Sequence, residues 1–243
     1  MCDFANILLS GRCNLRCPDC IGRSLASLPD NLRCFPPRGL ERFCRLLVRH
    51  GVTQLTVTGT NTDPQLHRHE ARLVQRLRRL VPGVRLNLHT NGLLALRKIE
   101  CFNSYDRATI SLPSLQPETC LTMTGSARVL PLSRIVRAAR IPIKISTLVT
   151  QHNLGQIPEI IERCRALGLR RMVLRLRPGD GALGRSLLDG RRPTRWFSGN
   201  PVHDLDGLEL TIWDFDRSTL RCLNLYSDGT IDTEYRLQQG RAA

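Results

Sequence analysis

The sequence has few lysines, few aromatic residues and no long apolar run. Of its 36 basic residues only Lys98 and Lys144 are lysines, and the other 34 are arginines spread over the whole chain. Aromatic side chains make up only 5% of the 243 residues, so the arginine-rich runs have few neighbours that could stack on nucleic-acid bases. No stretch approaches the roughly 20 apolar residues of a membrane-spanning helix, and the first residues lack the features of a signal peptide. We therefore expect a soluble cytoplasmic protein without a membrane partner.

Acidic residues are also scarce, because 21 of them face 36 basic residues and leave a formal net charge of +15. Such a balance is typical of proteins that bind nucleic acid or other anions. The near-exclusive use of arginine also fits coding bias, in which case the charge belongs to a solvated surface. Nucleic-acid binding is therefore possible but not the favoured interpretation.

Cysteine, by contrast, is plentiful. Ten cysteines in a chain without a secretion signal favour metal, cluster or catalytic thiols over a disulfide framework. Three of them, Cys13, Cys17 and Cys20, lie within eight residues, whereas the other seven are scattered singly. Lone cysteines on helices and strands are more often small core residues, so we expect one cluster.

Strand-like and helix-like segments alternate along residues 4–178. The β-type runs lie near residues 5–10, 54–58, 85–89, 107–112, 143–149 and 171–177. Helix-like runs lie between them, near residues 39–50, 65–80, 93–101, 116–122 with 132–139, and 157–167. This order predicts a parallel sheet with crossover helices, and six units are too few for a closed eight-stranded barrel. A partial barrel and a doubly wound sheet fit the periodicity equally well, and both bind ligands at the carboxyl ends of their strands.

The composition changes after residue 178. Residues 179–207 are rich in glycine, proline and arginine, which predicts an irregular linker. Residues 208–243 contain alternating runs, and the pair Asp228 and Gly229 between two of them is typical of a hairpin. We predict a short C-terminal antiparallel β appendage that either packs across an open barrel or extends its edge.

The strongest motif is the C-x3-C-x2-C segment formed by Cys13, Cys17 and Cys20 directly after the first predicted strand. Three thiolates on so short a loop can converge on one metal centre. A structural zinc site takes four protein ligands, and a four-iron cluster normally takes four thiolates. Three thiolates leave one iron open to a cofactor or substrate. Reduced thiols, or a zinc site completed by a distant cysteine, are the alternatives.

In this motif and its β/α setting, residues 4–178 resemble the radical S-adenosylmethionine (radical SAM) superfamily. The resemblance implies an α/β fold with a partial (β/α)6 barrel of TIM type, and a [4Fe-4S] cluster on the three cysteines with SAM at its open iron. In that superfamily one electron cleaves SAM to methionine and a 5′-deoxyadenosyl radical, which takes a hydrogen atom from the substrate. It also implies an electron donor such as flavodoxin or ferredoxin.

The loop after strand two is similar to that of the enzyme family that rearranges GTP in molybdenum-cofactor biosynthesis. That family carries Gly-Gly-Glu-Pro there, where this chain has Gly59, Thr60, Asn61, Thr62 and Asp63 before a proline. The resemblance implies that Gly59, Thr60, Asn61 and Asp63 bind the methionine end of SAM. A simple Asx turn is the alternative interpretation.

Further polar residues follow the later strands in the same order as in that family. The resemblance implies that Ser111 touches SAM and that Thr90 faces SAM or the substrate, whereas a plain turn with a hydroxyl is the alternative. It also implies that Arg175 or Arg177, after strand six, binds a carboxylate of SAM or substrate.

Lys144 matches a lysine that contacts GTP in that family. A lysine between apolar neighbours on a buried strand is costly unless it is paired with an anion, so Lys144 is a candidate for substrate binding. A snorkelling or salt-bridged lysine fits the sequence as well.

The chain also departs from that family. Asp19 stands where an aromatic residue usually precedes the third cysteine, and Asn6 stands where a substrate arginine is found. The second cluster and the paired C-terminal glycines have no counterpart, which disfavours GTP as the substrate. Three hypotheses follow: hydrogen abstraction from a small anionic metabolite, which leads; modification of a peptide or RNA docked on the basic surface; or a cluster or zinc protein that no longer cleaves SAM.

Overall fold

The computed structural model describes residues 2–20, 22, 27–177, 179–180, 188 and 190–233. The chain divides into two compact units. The first comprises Met1–Ala108, Ala139–Pro142 and Leu220–Ala243, and the second comprises Thr109–Ala138 and Ile143–Thr219. Among the helices of these described ranges, none is long and apolar enough to cross a membrane.

Strands and helices alternate along the first three quarters of the chain, as the sequence predicts. The strands are β1 Phe4–Leu9, β2 Gln54–Gly59, β3 Arg85–Thr90, β4 Arg107–Ser111, β5 Ile143–Leu148, β6 Arg171–Arg175, β7 Arg195–Phe197, β8 Asn200–Leu205, β9 Leu208–Trp213, β10 Cys222–Leu225 and β11 Ile231–Asp232. The helices are α1 Leu40–Arg49, α2 Glu70–Leu80, α3 Ile99–Phe102, α4 Pro117–Thr124, α5 Leu132–Ala138 and α6 Ile157–Ala166, and a short 3-10 helix covers Pro64–Leu66.

In the first unit, β1 pairs in parallel with β2 and β10, and β2 pairs in parallel with β3. Side chains alternate between the two faces of a strand, and one face of this sheet is uniformly apolar. Its members in register are Ala5, Leu55 and Leu86 in one row and Ile7, Val57 and Leu88 in the next, all at most 1% exposed. These rows match the buried apolar stripes of α1 and α2, so hydrophobic burial fixes which face of the sheet the helices cover.

The opposite face of the same sheet is polar. Asn6 lies in register with Asn224 on one side and Thr56 on the other, and Thr56 lies beside Asn87. The Asn6 side-chain N–H donates to Asn224 Oδ1 over 2.8 Å. Buried amides are tolerated here because they satisfy each other.

In the second unit, β6 pairs in parallel with β5 and with β9. Strands β7, β8 and β9 form an antiparallel meander. The helices begin and end on local signals: α4 starts at Pro117 and stops before Gly125, and α6 is closed by Gly168. Both glycines have φ near +70°, a conformation that other residues rarely adopt.

The C-terminal strands extend sheet edges rather than forming one appendage. Strand β9 adds to β6, whereas β10 adds to β1 and pairs antiparallel with β11 across the predicted Asp228 and Gly229 turn. Each added strand satisfies the backbone groups of a strand edge that would otherwise lack partners. The end of the predicted last strand, from residue 234, lies outside the described residues.

Two sequence expectations differ from the structure. The segment 179–207, predicted to be irregular, contains β7 and β8, which are joined by the tight turn at Ser198 and Gly199 with φ of 48° and 80°. Positive φ at both turn residues is the geometry of a two-residue hairpin, and β7, with three residues, is too short to show an alternating pattern. The helix expected over residues 93–101 is reduced to α3, because the chain first makes a turn in which Leu93 N–H bonds to Asn91 Oδ1.

Phe43 tests the packing of α1, because it is fully buried on the inner stripe of that helix. Phe43→Ala is expected to lower the free energy of unfolding by about 3–5 kcal/mol through the cavity it leaves. Val48→Ala is the matched control, since Val48 lies on the same helix but is 57% exposed. Urea unfolding midpoints compare the two, and equal shifts would contradict the assigned inner face.

Candidate functional site

The cysteine loop follows β1 at the carboxyl end of the first-unit sheet. Cys13, Cys17 and Cys20 are free thiols and half-buried, and Cys20 N–H donates to Cys17 O over 3.3 Å. Burial raises the pKa of the Cys13 thiol, and the nearby Asp63 carboxyl and Cys20 thiol raise it further.

Asn61, from the loop after β2, fastens this segment. Its Oδ1 accepts hydrogen bonds from Ser10 Oγ at 3.0 Å, from Gly11 N–H at 3.1 Å and from Thr60 Oγ1 at 3.2 Å. Thr60 N–H also donates to Leu9 O over 2.7 Å, and the same oxygen lies 3.0 Å from the Thr60 hydroxyl as an alternative acceptor for its one proton. The end of β1 and the start of the cysteine loop are therefore bonded to Thr60 and Asn61, two of the residues predicted to bind SAM.

Three further contacts join the cysteine loop to its neighbours. Thr62 Oγ1 donates to Arg12 O over 3.2 Å, and Asn91 Nδ2, from the loop after β3, donates to Asn14 Oδ1 over 2.7 Å. Gly22 lies so close to the β2 loop that a Cβ there would be 1.8 Å from the Thr60 carbonyl oxygen. The loops after β1, β2 and β3 thus form one hydrogen-bonded group.

Asp63 is the buried anchor of this group. Its side chain is 2% exposed and accepts hydrogen bonds from Gln65 N–H at 2.9 Å, Thr90 Oγ1 at 2.8 Å and Asn91 N–H at 2.6 Å. Burial raises the pKa of the Asp63 carboxyl, while these donors act in the opposite direction. The bond to Gln65 is the Asx-type turn that the sequence left open.

Thr90 is also buried and forms its hydrogen bonds within the protein. It is 2% exposed, its hydroxyl contacts Asp63 and lies 3.2 Å from Gln65 Oε1, and it accepts from Gly92 N–H at 3.0 Å. The structure therefore brings Thr90 and Asp63 together behind the loop surface.

Lys98 is a residue to which the sequence analysis assigned no role. Its Nζ donates to Glu70 Oε2 over 2.7 Å, and it also bonds to the carbonyl oxygens of Gln65 and His67. Glu70 is 2% exposed and accepts from Tyr105 Oη over 3.3 Å. Burial raises the pKa of Glu70 against the opposing effect of Lys98. The rarity of lysine in this chain was the available signal.

The remaining predicted site residues belong to the second unit. Ser111 and Arg175 are the last residues of β4 and β6, and Arg177 follows two residues later. Lys144 is the second residue of β5 and lies opposite Arg171. At about 3.3 Å per residue, it is about 13 Å from the carboxyl end of its strand, whereas Ser111 and Arg175 lie at that end of theirs.

The donor set of the cysteine loop fits an iron–sulfur cluster. Each thiolate of a four-iron cluster binds a different iron, so its ligands surround a cube rather than converge on one point. Three free thiols on one loop therefore suit such a cluster better than zinc, which needs four convergent ligands.

A parallel α/β fold whose first strand leads into a C-x3-C-x2-C loop resembles the radical SAM proteins, and comparisons with known proteins support this class. The chain is 24% identical over 186 residues to the probable GTP 3′,8-cyclase of Methanococcus aeolicus. The aligned region covers 73% of this chain and 60% of that protein. It is 29% identical over 174 residues to the GTP 3′,8-cyclase of Caulobacter vibrioides, and this aligned region covers 68% of this chain and 49% of that protein. The chain thus spans less than two thirds of these relatives. No protein-family model matches it.

Solved structures show the same fold. Streptococcus suis SuiB bound to precursor peptide SuiA matches with a TM-score of 0.67 and 16% identity, over 99% of this chain and 62% of that chain. The protein anSMEcpe with bound AdoMet (SAM) matches with a TM-score of 0.62 and 16% identity, over 95% and 74%. The predicted α/β class, a partial (β/α)6 barrel of TIM type with antiparallel C-terminal strands, is confirmed.

Asp63→Ala tests the buried anchor. It removes the acceptor of the Gln65 and Asn91 N–H groups and is expected to lower the free energy of unfolding by at least about 2 kcal/mol. Asp30→Ala is the matched control, because Asp30 makes the same type of turn to Leu32 N–H at an exposed position and its loss should cost less than about 1 kcal/mol. Chemical denaturation measures both, and equal losses would contradict the anchoring role.

Proposed function

We propose that this chain is a radical SAM enzyme that cleaves SAM reductively at a [4Fe-4S] cluster held by Cys13, Cys17 and Cys20. The observation that carries the proposal is the hydrogen-bonded group formed by the loops after β1, β2 and β3. It supports the proposal because it fastens a three-thiol loop to polar residues at the carboxyl edge of a parallel sheet, where such sheets bind their ligands.

A bound cluster supplies the electron that splits SAM into methionine and a 5′-deoxyadenosyl radical. The chain's own residues bind and orient the reactants. Asn61 uses its side-chain oxygen on the cysteine loop and keeps its amide nitrogen as a donor for SAM. Gly59 permits the tight turn that presents this loop, since a Cβ there would lie 1.9 Å from Thr62 O. Asp63 and Thr90 are both buried, and their hydrogen bond holds the loop after β2 against the end of β3.

Ser111, Arg175 and Arg177 complete the proposed set of SAM contacts. Their support is their place at or just beyond the carboxyl ends of β4 and β6. A guanidinium binds a carboxylate through two parallel hydrogen bonds, and SAM carries one carboxylate, so one arginine suffices for it. We assign the other to a substrate anion.

The substrate that we propose is a small anionic metabolite, with Lys144 as its cationic contact. Lys144 lies on the same face of β5 as Ser146, whose hydroxyl is buried and has no hydrogen-bond partner among the described residues. A peptide substrate is the second candidate, and the observation in its favour is the fold shared with SuiB, which was solved with a precursor peptide. A flavodoxin or ferredoxin is the proposed electron donor.

The decisive experiment is anaerobic reconstitution with iron and sulfide, followed by dithionite and SAM and detection of 5′-deoxyadenosine by mass spectrometry. The wild-type protein is expected to form 5′-deoxyadenosine, and Cys17→Ala is expected to lose at least about 100-fold in rate because a cluster ligand is missing. Cys34→Ala is the matched control, since Cys34 is an exposed free cysteine outside the loop and its removal should change nothing.

Two results would refute the proposal. One is a wild-type protein that binds about four irons per chain yet forms no 5′-deoxyadenosine, which would indicate a cluster protein without SAM chemistry. The other is equal activity of Cys17→Ala and Cys34→Ala.

Lys144→Ala separates the substrate proposal from SAM cleavage. Because Lys144 lies far from the carboxyl end of β5, uncoupled SAM cleavage should stay within about twofold of wild type. Stimulation of that cleavage by nucleotides or sugar phosphates, measured as 5′-deoxyadenosine formed, should disappear in the variant. Loss of the uncoupled reaction itself would instead assign Lys144 to SAM binding and overturn its role toward the substrate.

A further inference from the structure

Strand β7 forms an exposed edge of the second-unit sheet. Its three residues, Arg195, Trp196 and Phe197, are all exposed, and in the described part of the chain it pairs with β8 alone. An edge strand presents backbone groups to which another chain can add as a further strand.

The register shows which backbone groups face outward. Trp196 lies opposite Pro201, and proline has no N–H to give to a ladder. The pair therefore occupies a non-hydrogen-bonded position, in which the N–H and C=O of Trp196 point away from β8. The adjacent two-residue turn at Ser198 and Gly199 fixes this register, because both residues hold positive φ.

Aromatic side chains flank this edge on both faces. Trp196 is 60% exposed on one face, and Phe197 is 43% exposed on the other. Phe197 lies 6.2 Å from the ring of Trp213, which in turn lies 6.2 Å from Phe215. An added strand would find aromatic neighbours for its side chains on either face.

The surroundings of the edge are cationic. Arg191 and Arg192 are exposed, and no ion pair links either of them to a carboxylate among the described residues. Arg195 shares Glu209 with Arg171, at 2.5 and 3.0 Å, so two guanidinium groups face this one carboxylate. Natural edges are usually protected by charge or proline and seldom carry exposed tryptophan, so a purely protective role does not explain Trp196.

We propose that the outer edge of β7 binds an extended acidic peptide segment by strand addition, with Trp196 and Phe197 contacting its side chains and Arg191 and Arg192 contacting its carboxylates. A peptide fits better than RNA because the outward N–H and C=O of Trp196 form the alternating donor and acceptor pair that a peptide backbone complements. The proposal is independent of SAM cleavage, since binding is measured without SAM or reductant.

The binding test uses a dye-labelled peptide of about ten residues with alternating glutamate and valine, followed by fluorescence anisotropy with the full-length protein. A lysine and valine peptide and a single-stranded RNA of the same length are the comparison probes. The chain has two tryptophans: Trp196 lies on β7, and Trp213, on β9, contacts the ring of Phe197. A change in intrinsic tryptophan emission on adding unlabelled peptide therefore reports binding at β7. Of the three probes, we expect only the glutamate peptide to bind and to change the tryptophan emission.

A pair of variants at Trp196 isolates the backbone contact. Trp196→Ala removes the ring but keeps the N–H, whereas Trp196→Pro removes both, and the outward N–H makes proline compatible with the β8 ladder. Trp196→Pro should bind about threefold to tenfold more weakly than Trp196→Ala, the value of one hydrogen bond. Equal affinities would overturn strand addition, and matching unfolding midpoints verify that both variants fold.

Two double variants test how much the arginines contribute to peptide binding. The double variant Arg191→Glu, Arg192→Glu should bind the glutamate peptide at least about tenfold more weakly than the wild-type protein at low salt. Arg42→Glu with Arg45→Glu, exposed on α1 of the first unit, makes the same change in net charge and should have little effect. Equal effects of the two pairs, tighter binding of the RNA, or no binding of the glutamate peptide would each overturn the proposal.

Discussion

The candidate site depends on hydrogen bonds that tie three strand-end loops into one group. Asn61 and Asp63, two residues apart after β2, each accept three hydrogen bonds, and their donors come from the loops after β1, β2 and β3. A loop that carries three cysteines has little apolar surface of its own to bury. Its position is therefore set by backbone and amide contacts, whose loss would leave buried donors unpaired.

The hydrogen-bonded loops pack on two buried carboxyl groups, those of Asp63 and Glu70. Asp63 and Glu70 are both almost fully buried, and burial raises the pKa of each carboxyl. Asp63 is compensated by three donors, and Glu70 by Lys98 and Tyr105. Removing one partner of such a network costs more than the network contributes as a whole, because the other partner stays buried and unpaired. This arrangement favours one conformation of the loops over many.

The sequence predicted the six barrel strands and the cysteine loop, because both depend on local patterns. Alternation of apolar residues marks the strands, and the spacing of Cys13, Cys17 and Cys20 marks the loop. It could not predict that Asp63 would be buried, since burial depends on how Thr90 and Asn91, nearly 30 residues later, approach it. Strands β7 and β8 were missed for a related reason: their pairing rests on a turn at Ser198 and Gly199 that lacks the strongest hairpin residues.

The distribution of lysine and arginine connects the composition to the site. Arginines such as Arg76 and Arg140 form exposed ion pairs with Glu41 and Glu100, which contribute little to stability. Lys98 instead directs one ammonium group at Glu70 and two carbonyl oxygens. A compact ammonium can meet three acceptors that converge on one point, whereas a planar guanidinium spreads its donors in a fork. In a chain that otherwise uses arginine throughout, a retained lysine marks a position where this geometry matters, and the same argument makes Lys144 the first residue to test toward the substrate.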